Sequence, residues 1–231
     1  MRRREFIALL GGTAVSWPCT ARAQQPTPPV IGLLSGTGRN LRQLDDIRQG
    51  LNTSGYVEGR NVSIEYRVAE GQFDRLASLA ADLVSRQVKL ILTIQSAAAA
   101  LAAKAASSTI PIVFSIGGDP VKFGLVTSMN HPGGNATGTT FLVNTLGAKR
   151  LEVLHELVPR AKSIGLLTNP QNPASSVETS DVQAAARTLG LQVYLQNASN
   201  DDKVDAAFNN FVRDGIGGLT FAADALCGTD S

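Results

Sequence analysis

The stretch VKLILTIQSAAAALAAKAASSTIPIVFSI, residues 88–116, decides the fold. Val88 to Ile94 is a short run that is apolar on both faces and reads as a buried strand. Ser96 to about Ser107 is an Ala-rich helical segment. Ile110 to Ile116 is a second buried strand, cut short by Gly117-Gly118-Asp119-Pro120. Buried strands separated by helices indicate a parallel sheet covered on both sides. Such units connect right-handedly, so their strand C-termini and helix N-termini gather on one edge.

Toward the N-terminus the same alternation continues. Val30 to Leu34 is a buried strand, and Leu41, Leu44, Ile47 and Leu51 mark a helix that Gly55 closes as a C-cap. Asn61 to Val68 alternates like a strand, and Phe73 to Val84 puts Leu76, Leu79, Ala80 and Leu83 on one helical face. Toward the C-terminus the programme restarts. Ile31-Gly32-Leu33-Leu34 recurs as Ile164-Gly165-Leu166-Leu167, each opening a polar loop and then a helix. Gly190, Leu191 to Leu195 and Val204 to Val212 repeat Gly55, Val62 to Val68 and Phe73 to Val84, and Gly218 to Phe221 answers Leu90 to Thr93. The expected architecture is therefore α/β, with two doubly wound parallel-sheet lobes over residues 30–138 and 139–231. Asn135 to Phe141 is expected to carry the first crossover between them.

Residues 1–23 read as a removable export signal. Arg2, Arg3 and Arg4 form a basic head, Phe6 to Val15 is an apolar run, and Ala21-Arg22-Ala23 offers a cleavage site before Gln24. Arg3-Arg4-Glu5-Phe6-Ile7 also resembles a twin-arginine export signal. The apolar run is too short for a stable anchor, so no membrane insertion is expected after cleavage. Residues 24–29 form a Pro-rich spacer. Removing four arginines and one acid from totals of 21 basic and 19 acidic residues leaves 17 and 18. A near-neutral chain of this kind gives no support to nucleic acid as a partner. Only Cys227 remains after cleavage, which excludes an intramolecular disulfide.

Catalytic patterns are nearly absent. His131 and His155 are the only histidines, too few for most metal sites, and no Gly-x-Ser-x-Gly elbow occurs. Gly36-Thr37-Gly38 follows the first strand, but Leu41 stands where a dinucleotide fingerprint needs its third glycine. No cofactor, metal or catalysis is expected. The strand-to-helix edges instead carry small polar groups. Ser35, Thr37, Gln95, Ser96, Ser115 and Asp119 belong to the first lobe, and Asn169 and Asn172 to the second. Taken singly, each is explained by helix or turn capping. As a set repeated on the facing edges of two lobes, they point to a cleft that binds a small molecule, with helix N-termini favouring an anionic group.

Particular runs resemble a known family. Gly50-Leu51, Gly55-Tyr56-Val57-Glu58-Gly59-Arg60-Asn61 and Ile64-Glu65-Tyr66-Arg67 are similar to the opening of the ABC transporter substrate-binding family that includes tryptophan- and tyrosine-binding members. Ile110-Pro111-Ile112-Val113-Phe114, Gly118-Asp119-Pro120-Val121, Gly124-Leu125-Val126 and Pro132-Gly133-Gly134-Asn135-Ala136-Thr137-Gly138 resemble its central signature. Lys149-Arg150-Leu151-Glu152, Glu156-Leu157-Val158-Pro159 and Asn169-Pro170 continue the likeness, while His131 stands where arginine is commoner. The resemblance implies a type I periplasmic binding-protein fold, a ligand clamped between lobes, and delivery to a membrane permease and ATPase. Aromatic amino acids are a ligand class implied by the family alone. A ligand-sensing partner of a membrane receptor would keep the fold and change the role, and an exported α/β enzyme is the third reading. Family members extend beyond Leu226-Cys227-Gly228-Thr229-Asp230-Ser231, so the second lobe is expected to be incomplete. Residues 24–231 are then expected to be poorly soluble and to bind weakly until a C-terminal segment is supplied.

Overall fold

The computed structural model describes residues 28–38 and 41–223. The expected signal segment, most of the spacer, Cys227 and the final residues lie outside that range.

The first sheet has the order β2-β1-β3-β4-β5, with every neighbouring pair parallel. Its strands are β1 (Val30–Ser35), β2 (Ser63–Val68), β3 (Leu90–Ile94), β4 (Ile112–Ile116) and β5 (Ala136–Thr140). Helices α1 (Leu41–Thr53), α2 (Leu76–Ser85) and α3 (Ala97–Ala106) connect the first four. A 3-10 turn, Phe73–Arg75, precedes α2, so the helical pattern expected from Phe73 starts as a tighter turn. The sheet is doubly wound because β1 leads first to β2 on one side and the chain then returns to β3 on the other.

The second sheet has the order β7-β6-β8, also parallel. It comprises β6 (Ser163–Thr168), β7 (Gln192–Asn197) and β8 (Gly218–Phe221), joined by α5 (Pro173–Leu189) and α6 (Asp201–Arg213); α4 (Gly147–Leu157) leads into it. Its order repeats β2-β1-β3, and the recurring Ile-Gly-Leu-Leu runs are β6, between β7 and β8, and β1, between β2 and β3. The repetition extends to packing. A Cβ on Gly32 would lie 2.8 Å from Leu83 of α2, and one on Gly165 would lie 2.9 Å from Phe211 of α6. Each glycine admits a large apolar side chain, Leu83 of α2 or Phe211 of α6, against its own strand.

The core of the first unit gathers Leu34, Leu83, Ile91, Ile112 and Phe114 with the buried alanines of α3. The second unit has two smaller clusters, one around Leu151, Ile164 and Leu166, the other around Leu167, Ala207 and Phe211. The fit between units involves α3, which packs against α5. An ion pair, Lys122 Nζ to Asp181 Oδ2 at 3.7 Å, also spans them.

Strand β5 is a finding that the sequence pattern concealed. Its residues, Ala-Thr-Gly-Thr-Thr, are too polar and small to read as a buried strand, yet they pair along the whole of β4. Gly138 fits only because it lacks a side chain, since a Cβ there would lie 2.0 Å from the Phe114 carbonyl oxygen. The chain then passes to the second unit over Phe141 to Leu146, which includes a 3-10 turn at Val143–Leu146.

Candidate ligand-binding cleft

In an open doubly wound sheet, the crevice lies beyond the strand C-termini where the strand order reverses. In the first sheet this is the gap between β1 and β3, and in the second the gap between β6 and β8. Thr37 follows β1, Gln95 and Ser96 follow β3, Asn169 and Asn172 follow β6, and Ala223 follows β8. Two adjoining cavities lie there. One of about 370 Å³ is lined by Thr37, Gln95, Ser96 and Gly117 of the first unit and by Asn172, Ala174 and Ala223 of the second. Phe73, Phe141 and Val143 supply apolar wall, and Asn144 of the passing segment adds a polar group. The other, about 730 Å³, is more polar and includes Thr37, Phe73 and Asn169.

Sequence and local geometry explain each polar position. Ser96 is the buried N-cap of α3, and its Oγ accepts the Ala99 N–H at 3.1 Å. Gly36 permits this placement, because a Cβ there would lie 2.5 Å from Ser96 Oγ. Gln95 holds a left-handed φ of 48°, unusual for a residue with a side chain, while its N–H donates to the Ser115 carbonyl at 2.7 Å. Backbone strain of this kind persists where the surroundings over-determine it and clusters at ligand clamps. Asn172 is the N-cap of α5, its Oδ1 accepting the Ala174 N–H at 3.0 Å with Pro173 at the first helical position. Asn169 Oδ1 accepts the Gln171 N–H at 3.0 Å and is buried. The N-termini of α3 and α5 thus both open onto the smaller cavity, where the helix ends favour negative charge.

Of the eight candidates, Thr37, Gln95, Ser96 and Asn172 line the smaller cavity, and Thr37 and Asn169 line the larger. The remaining three lie outside both linings. Ser35 Oγ donates to the Thr37 carbonyl at 3.0 Å and shapes the turn after β1. Ser115 sits in β4, where its carbonyl holds Gln95. Asp119 Oδ1 accepts the N–H groups of Val121 and Lys122, at 2.8 and 3.3 Å.

Sequence reasoning missed Phe73, Phe141, Asn144 and Ala223. Asn144 lies in the passing segment, where no periodic pattern marks a cleft, and only its polarity beside Phe141 was a signal. Sequence reasoning also missed Glu178, whose side chain on α5 is fully buried. Its Oε1 pairs with Arg150 Nη2, and its Oε2 accepts the Ala223 N–H at 2.8 Å. Burial raises this carboxyl above the usual glutamate range, opposed by the Ala223 N–H, Arg150 and Asn144.

A larger cavity of about 910 Å³ adjoins this site at Ala223 and extends away from it. It is an apolar groove of the second unit alone, beside β8 and bounded by Val153, Leu157, Phe208 and Phe221. Among the described residues, no group of three His, Cys, Asp or Glu side chains could hold a metal ion, and no helix is long and apolar enough to cross a membrane.

The sequence model of one family, described as ABC transporter substrate binding protein, matches residues 29–225. A tyrosine-binding protein of Clostridioides difficile is 32% identical over 173 residues, which cover 73% of this chain and 49% of that protein. This chain therefore spans about half the length of that relative. The ABC domain in complex with L-Trp from Streptococcus pneumonia superposes with a TM-score of 0.72 at 23% identity, covering 87% of this chain and 67% of that one. A conserved domain protein from Vibrio cholerae gives 0.69 at 27% identity, covering 81% and 63%.

Proposed function

The chain belongs to the ABC transporter substrate-binding protein family, and on that premise we propose that it is the extracytoplasmic solute-binding component of an ABC importer. Its fold is that of the type I periplasmic binding proteins. The members of this family are binding proteins, and the role proposed here is capture and delivery without chemistry on the ligand. The signal at residues 1–23 delivers the chain across the membrane, and a membrane permease with its ATPase receives the cargo.

The ligand is a small amino acid with an aromatic side chain. One observation carries this reading: the N-termini of α3 and α5 open from two units onto one cavity walled by Phe73 and Phe141. A carboxylate at the Gln95-Ser96 turn would meet the unsatisfied N–H groups of the first turn of α3, with Asn172 helping from the opposite side. An aromatic ring would lie between the phenylalanines. The specificities of the tyrosine-binding relative and the L-Trp complex support the same class.

The test is calorimetry with L-tryptophan and L-tyrosine on the chain with a C-terminal segment supplied, then on Ser96→Ala and Asn172→Ala in that background. Each substitution is expected to weaken binding by about 1–3 kcal/mol, the usual effect of removing one buried hydrogen-bond partner. L-Tryptophan amide, which lacks the negative charge, is expected to bind less tightly than L-tryptophan. Unaltered affinity in both variants would reduce these residues to caps.

A further inference from the structure

Asn144 is held in one orientation by partners that can only accept. Its Nδ2 donates to Glu178 Oε2 at 3.4 Å and to the Ala223 carbonyl at 3.3 Å. Its backbone N–H donates to the Gly117 carbonyl at 2.9 Å. An ionised carboxylate and a carbonyl offer no proton, so a carboxamide turned over would set its oxygen against two acceptors. The amide nitrogen therefore faces Glu178, and the oxygen is the free end. Among the described residues nothing donates to Asn144 Oδ1, and Asn144 lines the cleft.

Room for that oxygen is built into the opposite strand end. A Cβ on Gly117 would lie 2.4 Å from Asn144 Oδ1 and 2.7 Å from Val143 Cγ2. Gly117 is not in the left-handed region, so close approach of Asn144, not backbone conformation, is what a side chain there would disturb. Glu178 is fixed in turn, one oxygen on Arg150 and the other on the Ala223 N–H. The assembly draws on the passing segment, helix α5 and the residue after β8. A buried carboxylate with both oxygens engaged is a rigid support for the group it holds.

We propose that Asn144 is a specificity-determining residue of the cleft, its carboxamide oxygen accepting a hydrogen bond from the ammonium group of an amino-acid ligand. Glu178 is the positioning residue that fixes this orientation. The assignment rests on the reading of the cleft as an amino-acid site and adds the second pole of recognition. The N-terminus of α3 favours the carboxylate, and Asn144 Oδ1 favours the ammonium. A ligand with only the acid would forgo the Asn144 contact.

Two probes separate these contributions: L-tryptophan, and indole-3-propionate, which lacks only the amino group. Dissociation constants are measured for both on the chain with a C-terminal segment supplied and, in that same background, on Asn144→Leu, Gly117→Ala and Glu178→Gln, each checked for folding by circular dichroism. Asn144→Leu removes the acceptor, and Gly117→Ala displaces it while leaving Arg150 and the Ala223 N–H on Glu178. Glu178→Gln gives the carboxamide a partner that can also donate, so Asn144 is no longer held one way. Hydrogen bonds to charged groups support an expected loss of about tenfold or more for L-tryptophan. Indole-3-propionate is expected to change by less than about twofold, since it never used the contact. If Asn144→Leu does not fold, Gly117→Ala delivers the same comparison. Variants that lose both probes equally, or neither, overturn the assignment while the amino-acid reading stands. A wild-type protein that binds neither probe overturns that reading and the assignment together.

Discussion

Replacing Asn135 by alanine and by aspartate tests how the family signature around Pro132 to Gly138 holds the first unit together. The Asn135 Nδ2 donates to the carbonyls of Ser107 and Ile110, at 2.8 and 2.7 Å. These carbonyls flank the turn between α3 and β4, and the Asn135 carbonyl accepts the Ile112 N–H at 2.8 Å to begin the pairing of β5. Asn135→Ala removes two hydrogen bonds, each worth about 0.5–1.5 kcal/mol net, so the expected loss is about 2 kcal/mol. Asn135→Asp keeps the shape and turns the donor into an acceptor beside two carbonyl oxygens. It loses both bonds and adds repulsion, and is expected to cost at least about 1 kcal/mol more than alanine. Urea and thermal unfolding of the whole chain, followed by circular dichroism, measure both. At about 2–4 °C per kcal/mol for a protein of this size, the alanine variant should melt roughly 4–8 °C lower. An alanine loss below about 0.5 kcal/mol, or an aspartate variant as stable as the alanine one, would refute the reasoning.

Gly138→Ala should destabilise the first unit by about 1–3 kcal/mol or more, because its Cβ would strike the Phe114 carbonyl. Gly134→Ala, which meets nothing within 4 Å, is the matched control, and equal urea midpoints for the two would count against this packing account. Glu178→Gln should change the pH dependence of stability in a defined direction. Burial raises the folded pKa of Glu178 above its unfolded value, so its contribution is fully present below the unfolded pKa and is lost as pH rises through the folded value. Arg150 and Asp181 act on it in opposite directions, without reversing the shift. Relative to the glutamine variant, the wild type should therefore be at its best near about pH 4, the ordinary glutamate range, and lose ground toward neutrality. Urea unfolding across that range checks this, and a wild-type advantage that grew with pH would contradict it.

Much of the fold is legible in the sequence because parallel strands buried on both faces leave continuous apolar runs. β1, β3, β4 and β6 are such runs, and the glycines at 55 and 190 mark helix ends through their left-handed φ of 84° and 67°. β5 is not legible, since its residues are one alanine, one glycine and three threonines and leave no continuous apolar run. The cleft is half legible. Ser96 and Asn172 announce themselves as caps, and caps at a switch point are also where a ligand can meet helix N-termini. Asn144, Phe141 and Glu178 carry no such signature. Their significance arises from the path of the chain between units, which brings Asn144 to Gly117 and Ala223 to Glu178. Sequence spacing does not encode that meeting.

Helix α3 carries eight alanines among its ten residues, and it packs against α5 across the two units. Alanine has no rotamers, so a contact built from it has no interlocking side chains to disengage. Such surfaces suit a small sliding displacement, the shear mode of domain motion, in which no torsion has to jump between wells. Besides this seam, the units meet in the Lys122–Asp181 pair and are joined by the passing segment. Enlarging an alanine of α3 at this seam would thus act as a brake, slowing the exchange between arrangements of the two units.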